Sequence, residues 1–250
     1  MVGREGSLKS LAARLLTTSL VFGLAWCLLH FAMAEYFWHR ASECYRVEHY
    51  EQAIVFYNRA LAWANPCYLN DPECLYCARG NAFDMAGRLD LALSDYNEAL
   101  RLDPSSPRFY NEKAVAYRRS KRYKEAVATM DRALALPNAR PRDYLERADS
   151  LIALADYQKA ISDLDHYLTL APAEKPQDQF RHSRGYDLRG WAYFKLGDFP
   201  KALADYESAL KIRPGYAQAL HDRGDVKQAQ GDSAAAQGDY DLARTAGYKE

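Results

Sequence analysis

The chain has 250 residues, and its 33 basic and 33 acidic side chains give a formal net charge of zero. A chain of this length can bury a substantial core, and its balanced charge provides no overall attraction to nucleic acid or to acidic membrane surfaces. We therefore expect no nucleic-acid partner.

The first predicted element is an apolar helix over residues 15–34, which contain no acidic, lysine or arginine side chain. A helix of about 20 residues spans about 30 Å, the thickness of a bilayer core. Residues 1–14 are basic, so the positive-inside rule places the N-terminus in the cytoplasm. The sequence predicts a transmembrane signal anchor in a bacterial inner membrane, with residues 35–250 in the periplasm; a eukaryotic lumenal location is the alternative.

Cleavage of this segment is a second interpretation. Ala32 and Ala34 flank Met33 in the small–any–small pattern of a signal-peptidase site. The apolar run is longer than that of an ordinary signal peptide, and no polar spacer follows it. One helix could therefore run from the membrane into the first repeat, which favours the anchor. Cleavage after Ala34 would instead release a soluble periplasmic or secreted protein.

Residues 35–250 repeat a pattern with a period of 34 residues. Three of the five intervals between equivalent alanines equal 34, and the other two are longer by 5 and by 8, which predicts loop insertions near residues 66–73 and 174–181. A fixed period of this length indicates stacked helical repeats. The equivalent alanines are Ala53, Ala92, Ala126, Ala160, Ala202 and Ala236.

Other positions keep the same phase and predict two packed helices in each repeat. A glycine or alanine precedes each of these alanines by 12 residues, where it allows close approach of the second helix, and a bulky residue follows each by four. Gly87, Gly197 and Gly231 lie where the turn between the helices needs a left-handed residue. We therefore interpret these positions as structural.

The pattern resembles the tetratricopeptide repeat (TPR), and the clearest unit has Gly190, Ala202, Tyr206, Ala209 and Pro214 at its signature positions. The resemblance implies an all-α fold: a right-handed superhelical solenoid of six helix-turn-helix repeats. The apolar run predicts one transmembrane helix before this solenoid. The resemblance also implies a non-enzymatic protein that binds other proteins in a groove lined by the first helix of each repeat, helix A.

Transferring the groove positions of the family to this sequence gives a set of partner-binding candidates on the A helices. Arginine can hold a carboxylate in a bidentate fork, and Trp and Arg are common at interface hot spots. Trp191 either lines the groove or packs against the fourth repeat. The candidates are Asn81, Asp84, Arg108, Asn111, Arg118, Arg119, Arg142, Asp149, Arg184, Asp187, Trp191 and Phe194.

The charge is distributed unevenly along the repeats. The net charge is −5 over residues 41–100, +6 over residues 101–147 and −3 over residues 148–250. The positive band is either a solvated outer face or a docking patch for an acidic segment of a partner.

Four of the five cysteines lie in the first two repeats: Cys44, Cys67, Cys74 and Cys77. An even number in an exported domain indicates disulfides. We favour the pairing of Cys67 with Cys74 across the first insertion and of Cys44 with Cys77 on consecutive A helices, although two other pairings fit the sequence. Alternatively, Cys74 and Cys77 form a CxxC motif typical of thiol-active proteins.

Catalytic motifs are absent from the sequence: it contains no phosphate-binding glycine loop, HExxH or GxSxG. We therefore expect no enzyme activity, cofactor, metal site or small-molecule substrate. The leading hypothesis is a membrane-anchored scaffold that holds or assembles a cell-envelope protein complex. Its partners would be another protein of that complex and, through residues 15–34, the lipid bilayer. A soluble adaptor released by cleavage and a thiol-active protein are the alternatives.

Overall fold

The computed structural model of the chain describes residues 2–64, 71–171 and 176–249. Side chains are described from residue 23 onward, apart from those of residues 176 and 177. Within these ranges the chain forms twelve α-helices and no strand. This all-α architecture agrees with the helical-repeat prediction.

The chain divides into two compact units, and the first, Met1–Pro104, contains four helices. In this unit α1 packs on α2, α2 on α3, and α3 on α4, as expected for two successive helix-turn-helix repeats. The helices are α1 (Val2–Arg46), α2 (Tyr50–Trp63), α3 (Pro72–Met85) and α4 (Leu89–Leu102).

The second unit, Ser105–Glu250, contains eight helices that pack in the same sequential order and form four repeats. In both units the odd-numbered helices are the A helices and the even-numbered ones are the B helices. The helices of this unit are α5 (Pro107–Arg119), α6 (Tyr123–Leu134), α7 (Pro141–Ala153), α8 (Tyr157–Leu170), α9 (Pro176–Lys195), α10 (Phe199–Ile212), α11 (Ala217–Ala229) and α12 (Ser233–Thr245).

The turn between the two helices of each repeat contains one residue with left-handed backbone. Gly87, Gly197 and Gly231 have φ angles of 75°, 80° and 87°, as the sequence predicted. The other three repeats have residues with a side chain at this position: Glu48, Lys121 and Ala155, with φ angles of 62°, 59° and 60°. This conformation costs such a residue about 1 kcal/mol, so packing of the two helices imposes the turn even without glycine.

The small residue of each A helix lies against the bulky residue of its B helix, which confirms the predicted close approach. A Cβ atom on Gly224 would lie 2.7 Å from the ring of Tyr240. In the fourth repeat Ala148 takes the place of glycine, and its partner in the core is the smaller Leu164. In the fourth repeat the larger of the two small residue types is therefore matched with a smaller partner.

Four repeats share an arginine that the sequence analysis did not single out. Each of these repeat arginines donates two hydrogen bonds of 2.6–2.8 Å to an aspartate 16 residues later, on the B helix of the same repeat. Two of them also reach an aspartate on the preceding B helix, at 2.7 Å and 2.6 Å, and so join neighbouring repeats. The pairs are Arg79–Asp95, Arg147–Asp163, Arg189–Asp205 and Arg223–Asp239.

The second predicted insertion is largely helical, although the sequence predicted a loop. Helix α9 begins at Pro176 and has 20 residues, whereas α7 has 13. Proline at a first helical position and an acidic residue in the first turn, here Asp178, both favour a helix start. Residues 65–70 of the first insertion and residues 172–175 lie outside the described ranges.

Helix α1 continues without a break from Val2 to Arg46, as the missing polar spacer suggested. No helix in the described part of the chain has both the length and the apolar character that crossing a membrane requires. The side chains of residues 15–22, within the predicted span, lie outside that part. Among those described, Leu24, Trp26 and Leu28 are each more than half exposed.

The end of the predicted span, by contrast, packs inside the first unit. The ring of His30 lies 4.8 Å from that of Trp63, at the end of α2. Ala34 is 1% exposed and belongs to the core of this unit. Phe31, between them, is still 41% exposed. The first unit therefore covers the side of α1 that carries His30 and Ala34 and leaves the other side uncovered.

Candidate functional site

The A helices of the second unit form one continuous surface. Helix α5 contacts α7, α7 contacts α9, and α9 contacts α11. We call the side of these four helices that carries the predicted groove positions the A-helix face. It holds nine of the twelve candidate residues, and Arg119 lies at its edge.

An ion-pair network links three helices at the centre of this face. Arg118 of α5 binds Asp149 of α7 at 2.6 Å and Glu146 at 3.2 Å. Arg184 of α9 binds the same Asp149 and lies 3.9 Å from Glu146. These side chains are 13–27% exposed. Two arginines and two carboxylates neutralise one another, so this part of the face does not have the open positive charge that the sequence suggested.

A second polar group lies between α5 and α7. The buried amide of Asn111 is 3.4 Å from Asp143 and 3.5 Å from Arg142, both at the long limit of hydrogen bonding. Asp143 receives stronger hydrogen bonds from Arg140, at 2.8 Å and 2.9 Å. The Nε atom of Arg142 is buried and has no hydrogen-bond partner among the described residues. Asn111 and Arg142 therefore retain hydrogen-bonding capacity.

A third group surrounds Asp187 on α9. Its Oδ2 atom accepts a hydrogen bond of 3.0 Å from the hydroxyl of Tyr216, and its Oδ1 atom has no partner in the described structure. Burial, followed by the negative charge of Asp222, raises the pKa of Asp187 to about 7. Arg184 and Arg213 lie near enough to lower this pKa, but neither pairs directly with Asp187 in the described contacts.

Trp191 and Phe194 form an apolar patch at the end of α9. Their ring centroids are 5.6 Å apart, and the ammonium of Lys195 lies 4.1 Å from the indole centroid. Phe194 also contacts Phe199 of α10. Both candidate rings are partly exposed.

The remaining candidates are separated from these groups. Arg108 and Arg119, at opposite ends of α5, are exposed. Asn81 and Asp84 belong to the first unit and lie on α3, where Asn81 accepts a hydrogen bond of 2.7 Å from Tyr96.

Three carboxylates on the A helices were not among the candidates predicted from the sequence. They are Glu112, Glu146 and Asp222, in three different repeats. Burial raises the pKa of Glu112. The charges of three nearby arginines lower it, and Arg108 has the largest effect of the three. A search for acidic residues facing the arginines of the neighbouring A helix would have identified Glu146.

The cysteine predictions are tested only in part. Burial raises the pKa of Tyr57, and Cys44 and Cys77 both lie close enough to raise it further. Cys44 nevertheless carries a free thiol, so the predicted bridge to Cys77 is not formed in this structure. Cys67 lies outside the described residues, so its pairing with Cys74 stays a prediction. Cys77 is fully buried, which disfavours a thiol-active CxxC motif, because reactive cysteines are partly exposed.

Two family models match separate parts of the chain. One, described as tetratricopeptide repeat, matches residues 77–141, and a second, described as TPR repeat, matches residues 190–231. Together with the solved structures below, these matches support the tetratricopeptide-repeat family. The comparison with curated protein sequences found no match.

Several solved structures share the fold at low sequence identity. The structure from a functional characterization of Pseudomonas aeruginosa pilF has a TM-score of 0.66 and 17% identity, and the alignment covers 86% of this chain and 93% of that one. MamA residues 41–end from Desulfovibrio magneticus RS-1 has a TM-score of 0.61 and 20% identity, with 71% and 96% covered. YrrB, described as a TPR protein with an unusual peptide-binding site, has a TM-score of 0.56 and 20% identity, with 71% and 87% covered. At these identities the likeness establishes an all-α TPR fold.

Proposed function

We propose that the chain is a protein-binding scaffold whose A-helix face in the second unit receives an extended segment of a partner protein. TPR proteins generally mediate protein–protein interaction, and the structure of YrrB is described as having a peptide-binding site. One observation carries the assignment to this face. Two buried polar atoms on it, Arg142 Nε and Asp187 Oδ1, have no hydrogen-bond partner among the described residues.

These two atoms match the chemistry of a polypeptide backbone. Buried polar groups in folded proteins are almost always hydrogen-bonded, because an unsatisfied group costs about 1–3 kcal/mol. Arg142 Nε can donate to a carbonyl oxygen, and Asp187 Oδ1 can accept from an amide N–H. Both atoms are buried in the unbound chain, so a bound segment would supply both groups after the Arg142 and Asp187 side chains turn toward it. The Asn111 amide beside Arg142 could then exchange its long contacts for shorter ones.

The ion-pair network limits which partners fit. An acidic segment would have to displace Asp149 and Glu146 from Arg118 and Arg184, and breaking buried pairs is costly. Arg108 is exposed, and the acidic side chain that interacts with it, Glu112, forms no ion pair with it among the described contacts. The proposed partner therefore binds mainly through its backbone across α7 and α9, with acidic side chains directed toward Arg108.

The N-terminal segment is proposed to anchor this scaffold in a membrane. Its uncovered apolar side chains, among them Leu24, Trp26 and Leu28, continue the uncharged run that begins at residue 15. Cleavage after Ala34 is the weaker alternative, because Ala34 is buried within a continuous helix. The positive-inside rule would place the repeats in the periplasm, where they would hold or assemble a cell-envelope complex.

Site-specific photo-crosslinking in native membranes tests the binding face. A photoreactive residue replaces Trp191 on the A-helix face, or Lys159, which is exposed on α8, as the control position. We expect a partner crosslink from position 191 that is weakened by Asp187→Asn, and none from position 159. Equal crosslinking from both positions, or a crosslink indifferent to Asp187→Asn, would contradict the assignment to this face.

A further inference from the structure

The last repeat brings a histidine and two aspartates together on α11. One ligand atom from each of His221, Asp222 and Asp225 lies within 4.8 Å of the others. Nδ1 of His221 is 3.3 Å from a carboxylate oxygen of Asp222 and 3.8 Å from one of Asp225. We propose that this cluster binds a divalent first-row transition-metal ion, a role independent of the proposed scaffold function. The sequence analysis expected no metal site because no known ligand motif is present.

The donor set suits such an ion. An imidazole nitrogen with two carboxylate oxygens is a combination that Zn²⁺ accepts in tetrahedral sites and that Mn²⁺ and Co²⁺ also accept. His221 and Asp225 are four residues apart and therefore share one helix face. Three protein ligands leave at least one coordination position for water or for a side chain of a partner.

Hydrogen bonds from neighbouring residues already orient the proposed ligands. The side-chain amide of Gln218 donates to both oxygens of Asp222, at 2.9 Å and 3.0 Å. The hydroxyl of Tyr240 donates to Asp225 at 2.9 Å, and the His221 ring stacks on Tyr248 with a centroid distance of 4.1 Å. Outer contacts of this kind fix the orientation of ligands and raise metal affinity.

An independent observation indicates a missing group beside the cluster. The hydroxyl of Tyr206 is buried and has no hydrogen-bond partner among the described residues. Burial, followed by the charges of Asp222, Asp187 and Asp225, raises the pKa of Tyr206, so its hydroxyl lies within electrostatic range of the cluster. A water molecule bound to the ion could supply the hydrogen-bond partner that this hydroxyl lacks.

The cluster is also accessible. A cleft of about 390 Å³ opens beside it and is lined by His221, Asp225, Gln237, Tyr240, Arg244 and Tyr248. The guanidinium of Arg244 is paired with Asp241, which reduces its repulsion of a cation. An ion can therefore reach the ligands without unfolding of the last repeat.

A hydrogen bond from His221 Nδ1 to Asp222 would produce the same short distance without a metal ion. Titration of the chelator-treated, full-length chain with Co²⁺ separates the two arrangements. Co²⁺ bound through thiolate sulfur gives an intense near-ultraviolet charge-transfer band, whereas a nitrogen–oxygen site gives only weak visible bands. This difference separates the proposed site from binding by the cysteines of the first unit.

We expect saturable binding of one Co²⁺ per chain without the thiolate band, competed by Zn²⁺. His221→Ala and Asp225→Asn should each weaken binding by at least about tenfold. His166→Ala is the matched control and should bind as the wild type does, because His166 contacts Tyr144 and a backbone carbonyl instead. Circular dichroism checks that each variant is folded, and Asp225→Asn preserves the shape of its side chain.

Three results would overturn the proposal: no saturable binding, binding unchanged in both His221→Ala and Asp225→Asn, or a thiolate band that accounts for all bound Co²⁺. The first result would leave the hydrogen bond between His221 and Asp222 as the explanation of the cluster. None of these results bears on the photo-crosslinking test of the A-helix face.

Discussion

Replacing Arg189 by methionine tests whether the repeat arginines stabilise the second unit. Arg189 donates two hydrogen bonds to Asp205, at 2.7 Å and 2.8 Å, and a third of 2.6 Å to Asp165 on the preceding B helix. Methionine keeps most of the apolar stem and removes the guanidinium. The substitution therefore leaves the carboxylate of Asp205 in place without its cation.

The expected loss follows from the burial of the two partners. Removing one partner of a buried ion pair costs about 3–5 kcal/mol, because the other charge stays desolvated. The side chain of Asp205 is 7% exposed and that of Arg189 is 20% exposed, which places the loss near the lower end. The side chain of Asp165 is 51% exposed, so its contact adds at most about 1 kcal/mol. We expect Arg189→Met to lower the free energy of unfolding by about 3 kcal/mol.

Urea unfolding followed by the fluorescence of Trp191 measures this loss in the second unit alone. The other three tryptophans, Trp26, Trp38 and Trp63, belong to the first unit and can be replaced by phenylalanine in all variants. The double variant Arg189→Met with Asp205→Leu should recover to within about 1 kcal/mol of the parent, because apolar side chains of similar size often replace a buried pair without loss.

Lys201→Met is the matched control, since it removes one positive charge from an exposed pair with Asp198 at the start of α10. Its unfolding midpoint should not change measurably. A loss below about 1 kcal/mol in Arg189→Met, or no recovery in the double variant, would refute the view that burial of Asp205 makes this arginine necessary.

Three further substitutions test packing and protonation. Gly224→Ala should lower the free energy of unfolding by about 1–3 kcal/mol, because its methyl group would lie 2.7 Å from the ring of Tyr240. Gly238→Ala on α12 is the control, because its methyl group would have no atom within 4 Å. This substitution should raise the free energy of unfolding by about 0.5–1 kcal/mol. Equal effects of the two substitutions in urea unfolding would contradict the packing argument. Burial and a neighbouring carboxylate raise the pKa of Asp187 from 3.8 to about 7. Between these two pH values the folded chain keeps a proton on Asp187 that the unfolded chain loses. The free energy of unfolding therefore falls as the pH rises through this range. Asp187→Asn should flatten this fall in urea titrations across the same range, and an unchanged slope would show that another group causes it.

The periodicity predicted the helix pairs, the left-handed turns and the glycine–tyrosine contacts, because each depends on spacing within one repeat. Gly224 and Tyr240, for example, are 16 residues apart and always face one another when the two helices pack. The same spacing separates Arg189 from Asp205. This ion pair could therefore have been predicted from the repeat, had the charged positions been aligned along with the apolar ones.

Charge on the A-helix face could not be predicted in the same way. Arg118 and Arg184 belong to different repeats, and both bind Asp149, which lies between them on α7. Their pairing depends on side-chain reach across helices, which the spacing within one repeat does not determine. The helical start of α9 was missed for a related reason, since an insertion breaks the phase on which the prediction relied.

Stability and binding are assigned to different positions of the same A helices. On α9 the repeat arginine Arg189 points toward the B helices, where it holds Asp205, whereas Asp187, two residues earlier, accepts from Tyr216 of the next repeat. Residues two apart on a helix point in different directions. Each substitution therefore changes only one of the two surfaces of α9, and the effects of the two variants can be compared directly. Arg189→Met should destabilise the unit and leave photo-crosslinking from position 191 intact under conditions where the chain is folded. Asp187→Asn should weaken that crosslink without loss of stability at neutral pH, because it removes a costly buried carboxylate. If both variants lost stability and crosslinking together, the A-helix face would be a structural surface, and the proposed binding role would have to move elsewhere on the chain.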